Sequence, residues 1–407
     1  MSHMESHLCF RAPEGARLHL GVCGSAAAFR ALDLLRYWQA CGVAVSATLT
    51  PSARRFVTPL SFEALGADPV YGDIFDPHAG PFGHLEAGGS ARAMVIAPVT
   101  ASTLARLAHG LADEMLACQA LAHPGPLVLA PAMNPRMWSH PATQASVALL
   151  AERGARLVMP ERGRVACGDE GEGRLADLRE IYLAGLKALY PQDMAGMRVM
   201  ITLGPTREHW DGVRFWSNPS SGRMGASFAV AAWLRGAGVE AVCGPGCPWL
   251  PAGIRRHDLV GARQMFDLAQ DLWLSMDCGV FTAAVADFSP EPYGAEKFKK
   301  AGAAAGFSLT FTPNPDILQT LAGRRRPGQK IVGFAAETVD DLATAVGHKL
   351  RAKGADIMVG NRIGQEGAGF GASTNAVYVA DAAGGEEWPL MPKTEVAWRV
   401  WTWLLRI

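Results

Sequence analysis

Short, unbroken apolar runs alternate with stretches of helical periodicity from residue 18 onward, and that alternation decides what the chain can fold into. Residues 18–22, 43–49, 93–99 and 127–130 are of strand length and lack the polar alternation of a half-exposed sheet. Residues 29–40, 104–122 and 143–153 repeat their apolar positions with the period of a helix. A strand that is apolar along its whole length is buried on both faces, so helices must cover both sides of a parallel sheet. The class is doubly wound, three-layer α/β.

The pattern runs once, pauses and starts again. A glycine- and charge-rich stretch, ERGRVACGDEGEGRLAD, precedes a helix over 178–189, and Tyr190-Pro-Gln-Asp-Met-Ala-Gly196 reads as the linker. Beyond it, strands are expected at 199–202, 239–243, 280–286, 331–336 and 356–360, and helices at 224–235, 262–275 and 339–352. A hairpin near 382–385 and a tryptophan-rich helix close the chain, and no internal repeat is visible. A length of 407 residues exceeds one ordinary core. The expected domains are 1–190 and 191–407.

Composition removes several function classes. With 38 basic and 38 acidic side chains the protein has no net field to draw nucleic acid or an anionic membrane. No apolar run reaches the roughly 18 residues of a membrane span, and the N-terminus lacks the pattern of a secretory signal. Its first residues resemble a cloning remnant. Eight cysteines lie scattered without CxxC pairs or matching histidine spacings, which suits a reducing cytoplasm without structural zinc. Cys243 and Cys247 are expected in an ordinary loop.

Two strand ends in the first half present small and hydroxyl residues to one crevice. Residues 21–30, GVCGSAAAFR, place Gly24 and Ser25 at the first turn, and Ala97-Pro-Val-Thr-Ala-Ser102 puts Thr100 and Ser102 at the start of a helix. Backbone N–H groups at such turns cradle phosphate, although small residues also serve close packing in any α/β fold. Farther on, Ala130-Pro-Ala-Met-Asn-Pro-Arg-Met-Trp138 sets Asn134 between prolines. Its spacing is equally that of a turn whose asparagine caps the next helix.

In the second half, GPTREHWDGVRFWSNPSSGRMG follows a strand and opens a helix, aiming N–H groups of Ser220, Ser221 and Gly222 at an anion. In Ala283-Ala-Val-Ala-Asp-Phe288 the apolar run is expected to end as a strand on Asp287, and Glu296-Lys-Phe-Lys-Lys300 carries three cations, a cluster able to neutralise a triphosphate though most charge runs are solvated faces. Pro313-Asn-Pro-Asp-Ile317 and Gly333-Phe-Ala-Ala-Glu-Thr338 complete the polar set.

The order of these motifs closely resembles the bifunctional coenzyme A biosynthesis family, phosphopantothenoylcysteine decarboxylase/phosphopantothenate–cysteine ligase. The first half is similar to flavin-dependent cysteine decarboxylases in Gly83-His84-Leu-Glu86, PxMNxxMW and the Cys167 segment ACGDEGEGR. The resemblance implies a flavodoxin-like domain holding FMN through Gly24, Ser25, Thr50, Thr100, Ala101, Ser102 and Met133. It implies His84 as catalytic histidine, Asn134 as holder of the substrate carboxylate, and Cys167 as proton donor on a flap hinged at Gly168, Gly171 and Gly173. Decarboxylation in that family proceeds through a thioaldehyde whose C=S takes up the electrons left by carbon dioxide. The run 87–92, AGGSAR, reads as a loop, smaller than the tryptophan- and aspartate-bearing stretch usual there.

For the second half the resemblance implies a Rossmann-like ligase domain that forms an acyl-cytidylate from phosphopantothenate and CTP. Asn218 would hold the intermediate, Lys297 the phosphates, and Asp287 the nucleotide or its Mg²⁺. Lys299, Lys300, Asn314, Asp316, Phe334 and Glu337 would contact nucleotide or substrate. Partners are then small molecules, with a homo-oligomer expected. A generic dinucleotide oxidoreductase is the other enzyme class such sheets invite, but GxGxxG follows neither first strand. An inactive flavoprotein acting as a regulatory subunit sits poorly with His84, Asn134 and Cys167 together. A decarboxylase of a peptide C-terminal cysteine leaves the second domain without a role.

Overall fold

The computed structural model describes residues 4–75, 80–164, 168–299, 306–339, 341–362, 367–369 and 371–407. They form two compact units, Arg11–Pro191 and Gln192–Ile407, the latter including the N-terminal segment through Phe10.

In the first unit, β1 (Arg17–Val22), β2 (Ala44–Leu49), β3 (Val70–Tyr71), β4 (Ala93–Val99), β5 (Leu127–Pro131) and β6 (Arg156–Leu157) form one parallel sheet in the order β3-β2-β1-β4-β5-β6. Without the two-residue edge strand β3, the order is the flavodoxin-like 2-1-3-4-5. Every residue of β4 is buried, as its uniformly apolar sequence requires. The strand order reverses between β1 and β4, so their C-terminal ends open the crevice where such sheets bind ligands. A hairpin, β7 (Glu161–Arg164) and β8 (Glu170–Arg174), follows the sheet.

One expected helix is two. The 104–122 periodicity divides into Ala101–His109 and Met115–Ala122. Gly110 adopts φ 68° and ends the first helix with its N–H on the carbonyls of Arg106 and Leu107, the left-handed cap that glycine supplies without a Cβ penalty. Likewise the 87–92 run is not a loop: residues through Ser90 belong to helix Gly83–Ser90.

The second unit has β9 (Arg198–Leu203), the short pair β10 (Glu208–His209) and β11 (Phe215–Trp216), β12 (Gly238–Cys243), β13 (Arg255–Asp258), β14 (Cys278–Phe281), the pair β15 (Phe288–Pro290) and β16 (Phe311–Pro313), then β17 (Lys330–Glu337), β18 (Ile357–Arg362), β19 (Thr374–Ala380) and β20 (Gly385–Pro392). Its main sheet runs β13-β12-β9-β14-β17-β18-β19-β20. The first six are parallel in the Rossmann order 3-2-1-4-5-6, and β19 and β20 add an antiparallel hairpin. The reversal lies between β9 and β14. Helix Lys393–Leu404 packs its tryptophans inward: Trp401 is fully buried and its Nε1 donates to Phe228 O at 3.1 Å.

Residues ahead of Arg11 belong to the second core rather than trailing from the first. Leu8 is 0% and Phe10 2% exposed. Phe10 meets Trp398 edge-on at 6.2 Å, His7 Nε2 donates to Trp249 O at 2.8 Å, and Thr394 Oγ1 donates to Cys9 O at 2.8 Å. Phe10→Ala is expected to destabilise the second unit by about 3–5 kcal/mol, the usual loss for a buried Phe→Ala change. Thermal unfolding followed with and without ligand would read it; an unchanged midpoint would make the segment a surface appendage.

Candidate active sites

At the switch point of the first sheet the turn after β1 and the helix after β4 lie side by side. Cys23 N donates to Pro98 O at 3.1 Å, and Ser25 N to Cys23 O at 2.9 Å. A Cβ on Gly24 would stand 2.4 Å from Ser52 Cβ, so this turn touches the loop after β2 and only glycine fits. Thr50 is buried in that loop and accepts from Ala53 N at 3.2 Å. Thr100 caps helix Ala101–His109 by accepting from Thr103 N; Ala101 opens the helix, and Ser102 Oγ accepts from Arg106 at 2.6 Å. Three strand ends, free first-turn N–H groups and short hydroxyls fit the phosphate of a flavin nucleotide. Cys23 is not a nucleophile here, because burial pushes its thiol up to about 11.

His84 is half-buried in helix Gly83–Ser90. Asn134 does both things its spacing allowed: Oδ1 caps helix Pro135–Trp138 by accepting from Arg136 N at 2.8 Å, while Nδ2 donates to Asp169 at 2.7 Å. Asp169 also receives Arg136 at 3.0 Å. Strand β8 thus rests on the Met133–Pro135 turn, and Met133 N donates to Gly173 O at 2.9 Å. A Cβ at Gly173 would lie 2.4 Å from Met133 O, and one at Gly171 2.8 Å from Pro135 Cβ. These two glycines are docking contacts, whereas Gly168 stands at φ 90° with only the Arg164 guanidinium within 4 Å of where its Cβ would be. Cys167 lies outside the described residues.

The second unit gathers its polar residues at two adjoining cavities at the C-terminal ends of β9, β14 and β17. One, of about 500 Å³, is lined by Asn218, Ser220, Ser221, Gly222, Arg223 and Lys393 among others. The other, of about 450 Å³, is lined by Asp287, Asn314, Asp316, Lys349 and Lys353 among others. Ala283, Ala284 and Phe334–Ala336 line both, so the cavities share a wall. Gly222 stands at φ 67° as N-cap of helix Arg223–Leu234, and its N–H reaches Ser220 Oγ at 3.3 Å. Asn218 Nδ2 donates to Val285 O at 2.9 Å, tying the anion loop to the segment after β14. Asn314 is held by donating to Ala286 O at 2.8 Å.

Besides Arg223, the cavity cations are ones that the motifs did not single out. Lys349 and Lys353 stand four apart on helix Leu342–Lys353, hence on one face. Lys349 pairs with Glu337 at 2.7 Å and Lys353 with Asp316, which also caps helix Ile317–Gly323. Lys393, 6% exposed, donates to Gly369 O at 2.9 Å and Ala372 O at 2.7 Å; burial and then the Arg223 charge lower its ammonium to about 8. The i, i+4 spacing of Lys349 and Lys353 was readable, but which way that helix face turns was not.

Lys297 and Lys299 are exposed and line neither cavity, and Lys300 lies outside the described residues. Between them Phe298 is anchored. Its N–H donates to buried Asp211 at 3.0 Å, its carbonyl accepts from Arg214, and its ring lies 5.1 Å from Trp210. Burial alone would raise the Asp211 carboxyl, but the N–H groups of Arg214, Val213 and Phe298 and the Arg214 charge bring it down to about 2. Cys243 and Cys247 are free thiols, and Cys247 packs under Gly204 and Gly222. Among the described residues no three His, Cys, Asp or Glu side chains gather as metal ligands, and no helix is long and apolar enough to cross a membrane.

Two doubly wound units, each with hydroxyls, amides or cations gathered at its switch point, place the chain in the class of α/β proteins that bind ligands at the C-terminal ends of their strands. The flavoprotein family model matches residues 11–186, and that of the DNA/pantothenate metabolism flavoprotein C-terminal domain matches 194–407. A coenzyme A biosynthesis bifunctional protein CoaBC of Vibrio vulnificus is 34% identical over 387 residues, covering 95% of this chain and 96% of that one. The Bacillus subtilis protein of the same description is 37% identical, covering 94% of each. The chain belongs to the bifunctional coenzyme A biosynthesis family. Among solved structures, an FMN-dependent cysteine decarboxylase is 35% identical, covering 42% of this chain and 95% of that one with a TM-score of 0.37.

Proposed function

We propose that the chain catalyses two consecutive steps of coenzyme A assembly: CTP-dependent ligation of phosphopantothenate to cysteine, then FMN-dependent decarboxylation of phosphopantothenoylcysteine to phosphopantetheine. The proposed division of labour puts ligation in the second unit and decarboxylation in the first. The observation that carries the ligase half is the pair of cavities sharing one wall. A carboxylate can react with a nucleotide only if both are bound with the reacting atoms in contact, and adjoining sites supply that orientation.

Phosphopantothenate would sit against Ser220, Ser221 and Gly222, with Asn218 beside its carboxylate. The nucleotide would lie along Asp287, Asn314, Asp316 and Phe334, with Lys297 reaching its phosphates and Lys349 and Lys353, on leaving Glu337 and Asp316, as a second clamp. The carboxylate oxygen attacks the α-phosphorus of CTP, pyrophosphate leaves, and the cysteine amine then displaces CMP to give the amide. Asp287 would hold Mg²⁺ with phosphate oxygens and water completing the shell, since that ion rarely needs more than one or two protein carboxylates.

In the first unit, Gly24, Ser25, Thr50, Thr100, Ala101, Ser102 and Met133 would hold FMN, which would supply a reversible two-electron store, filled from the substrate thiol and emptied back into the product after carbon dioxide has left, so that there is no net redox change. His84 moves a proton at that thiol, Asn134 orients the carboxylate that departs as carbon dioxide, and Cys167 returns the last proton. A homo-oligomer in a reducing cytoplasm completes this reading.

Incubation with phosphopantothenate, cysteine and CTP should release pyrophosphate and carbon dioxide in succession, carbon dioxide only when all three are present. Carbon dioxide from added phosphopantothenoylcysteine without pyrophosphate from CTP would leave the protein a decarboxylase alone.

A further inference from the structure

A chain of buried polar side chains crosses the first unit and ends on the backbone of the residue before His84. His19 on β1 is 0% exposed, with Nδ1 2.8 Å from Ser46 Oγ and Nε2 2.9 Å from Thr48 Oγ1. Thr48 Oγ1 donates to Gln119 Oε1 at 2.6 Å, and Gln119 Nε2 donates to Gly83 O at 3.1 Å. Gln119 itself is 0% exposed, on helix Met115–Ala122.

The far end of this chain sets the direction of every bond. A carbonyl only accepts, so Gln119 must present its amide N–H to Gly83 and its oxygen to Thr48. The single Thr48 proton is then committed, which makes His19 Nε2 the donor to Thr48 and leaves His19 Nδ1 to accept from Ser46. Each group has one role. His19 stays the neutral Nε2–H tautomer, since burial first, and the neighbouring His123 charge second, lower it to about 3.

The helix at the end of the chain packs on helix Met115–Ala122, the one that carries Gln119, and offers it mostly small residues. In GHLEAGGS, Leu85 is 47% exposed and the N-cap Phe82 contributes no side-chain cap. Its apolar anchor is Ala87, 1% exposed, in a small cluster with Tyr71 and Met115. An alanine cannot by itself fix the rotation of a helix, whereas a hydrogen bond at the residue adjoining His84 can.

We propose that Gln119 is a positioning residue for decarboxylation, with Ser46, His19 and Thr48 holding it: the oriented bond to Gly83 sets where the His84 imidazole stands over the substrate. This rests on His84 being the proton-transfer group. Gln119 lies in helix Met115–Ala122 of the first unit and lines neither cavity of the second, so ligation by the same chain serves as an internal control.

The test uses the full chain with its flavin, in three variants. Gln119→Met keeps the volume and loses both bonds; turnover in decarboxylation per bound flavin should fall about ten- to a hundredfold, the scale of a misplaced catalytic group, with KM and ligation unchanged. Gln119→Glu can accept from Thr48 but donates to Gly83 O only when protonated. A carboxyl buried there has a raised pKa, so its turnover relative to wild type should climb as pH is lowered from about 8.5 to about 6. The titratable neighbours are His19 from β1, Tyr71 from β3, Glu86 from the His84 helix and His123 after helix Met115–Ala122. They are common to wild type and variant and cancel in the ratio. His84→Asn is measured alongside. If it is inactive while Gln119→Met turns over normally, or if Gln119→Glu shows no recovery at low pH, the positioning role is overturned. If His84→Asn decarboxylates at the wild-type rate, the His84 assignment fails, and the positioning role with it.

Discussion

Carbon dioxide release by His84→Asn is expected to fall by about a thousandfold, the middle of the range that general acid–base groups contribute, while pyrophosphate release from CTP is unchanged. Asparagine keeps a hydrogen-bonding amide of similar reach but cannot take up and return a proton near neutral pH, whereas imidazole can. The helix that carries His84 is fastened by Ala87 and by the Gln119 bond to Gly83, neither of which involves the imidazole. The fold and the flavin site should therefore survive the change. Flavin absorbance and ligation in the same preparation separate lost chemistry from lost protein. A variant with full flavin and undiminished carbon dioxide release would remove His84 from the mechanism.

What the sequence makes legible follows from burial. Strands β4 and β5 are apolar along their length, and β1, β2 and β9 nearly so, because both faces are covered, so the α/β class could be read directly. The 280–286 run misled for the same reason. It is apolar enough for a strand, yet β14 stops at Phe281. Thr282 N and Ala284 N still donate to the backbone carbonyls of Thr202 and Gly204, but at 285–286 side chains take over: Asn218 donates to Val285 O, Thr206 Oγ1 accepts from Ala286 N, and Asn314 donates to Ala286 O. Those three partners lie 28 to 80 positions away in the chain, and no local pattern announces them.

Other features were hidden by their shortness or by a double use. Leu8 and Phe10 are core residues of the second unit, but two apolar side chains among polar ones carry no periodicity. Gly171 and Gly173 read as flexible because glycine often is; here they let β8 approach the Met133–Pro135 turn too closely for any Cβ. Residues 110–114 break a helix whose apolar spacing continues through Leu111, a side chain that is 56% exposed and so contributes pattern without packing.

Lys297→Gln is expected to lower ligation about a hundredfold, or ~3 kcal/mol of transition-state stabilisation, the usual consequence of deleting one donor from a charge-stabilising site. Decarboxylation should be untouched. Lys297 is exposed, and exposed lysine runs are usually solvated faces. The segment bearing it is nevertheless fixed: Phe298 is bonded to buried Asp211 and packed on Trp210, so Lys297 and Lys299, at alternate positions of the same segment, flank an anchored residue. The competing clamp is the pair Lys349 and Lys353, which lines the 450 Å³ cavity already. Lys349→Gln with Lys353→Gln measures that clamp, and CTP-dependent pyrophosphate release is the readout for both. The full chain is the right material, because the second unit includes the N-terminal segment through Phe10 and a fragment starting after Pro191 would lack it. If the double variant loses ligation and Lys297→Gln keeps it, the phosphate clamp is the cavity's own pair and the Glu296–Lys300 run is a solvated face. If Lys297→Gln alone loses it, the anchored segment delivers its cation to the nucleotide, and the Asp211 contacts hold it ready to do so.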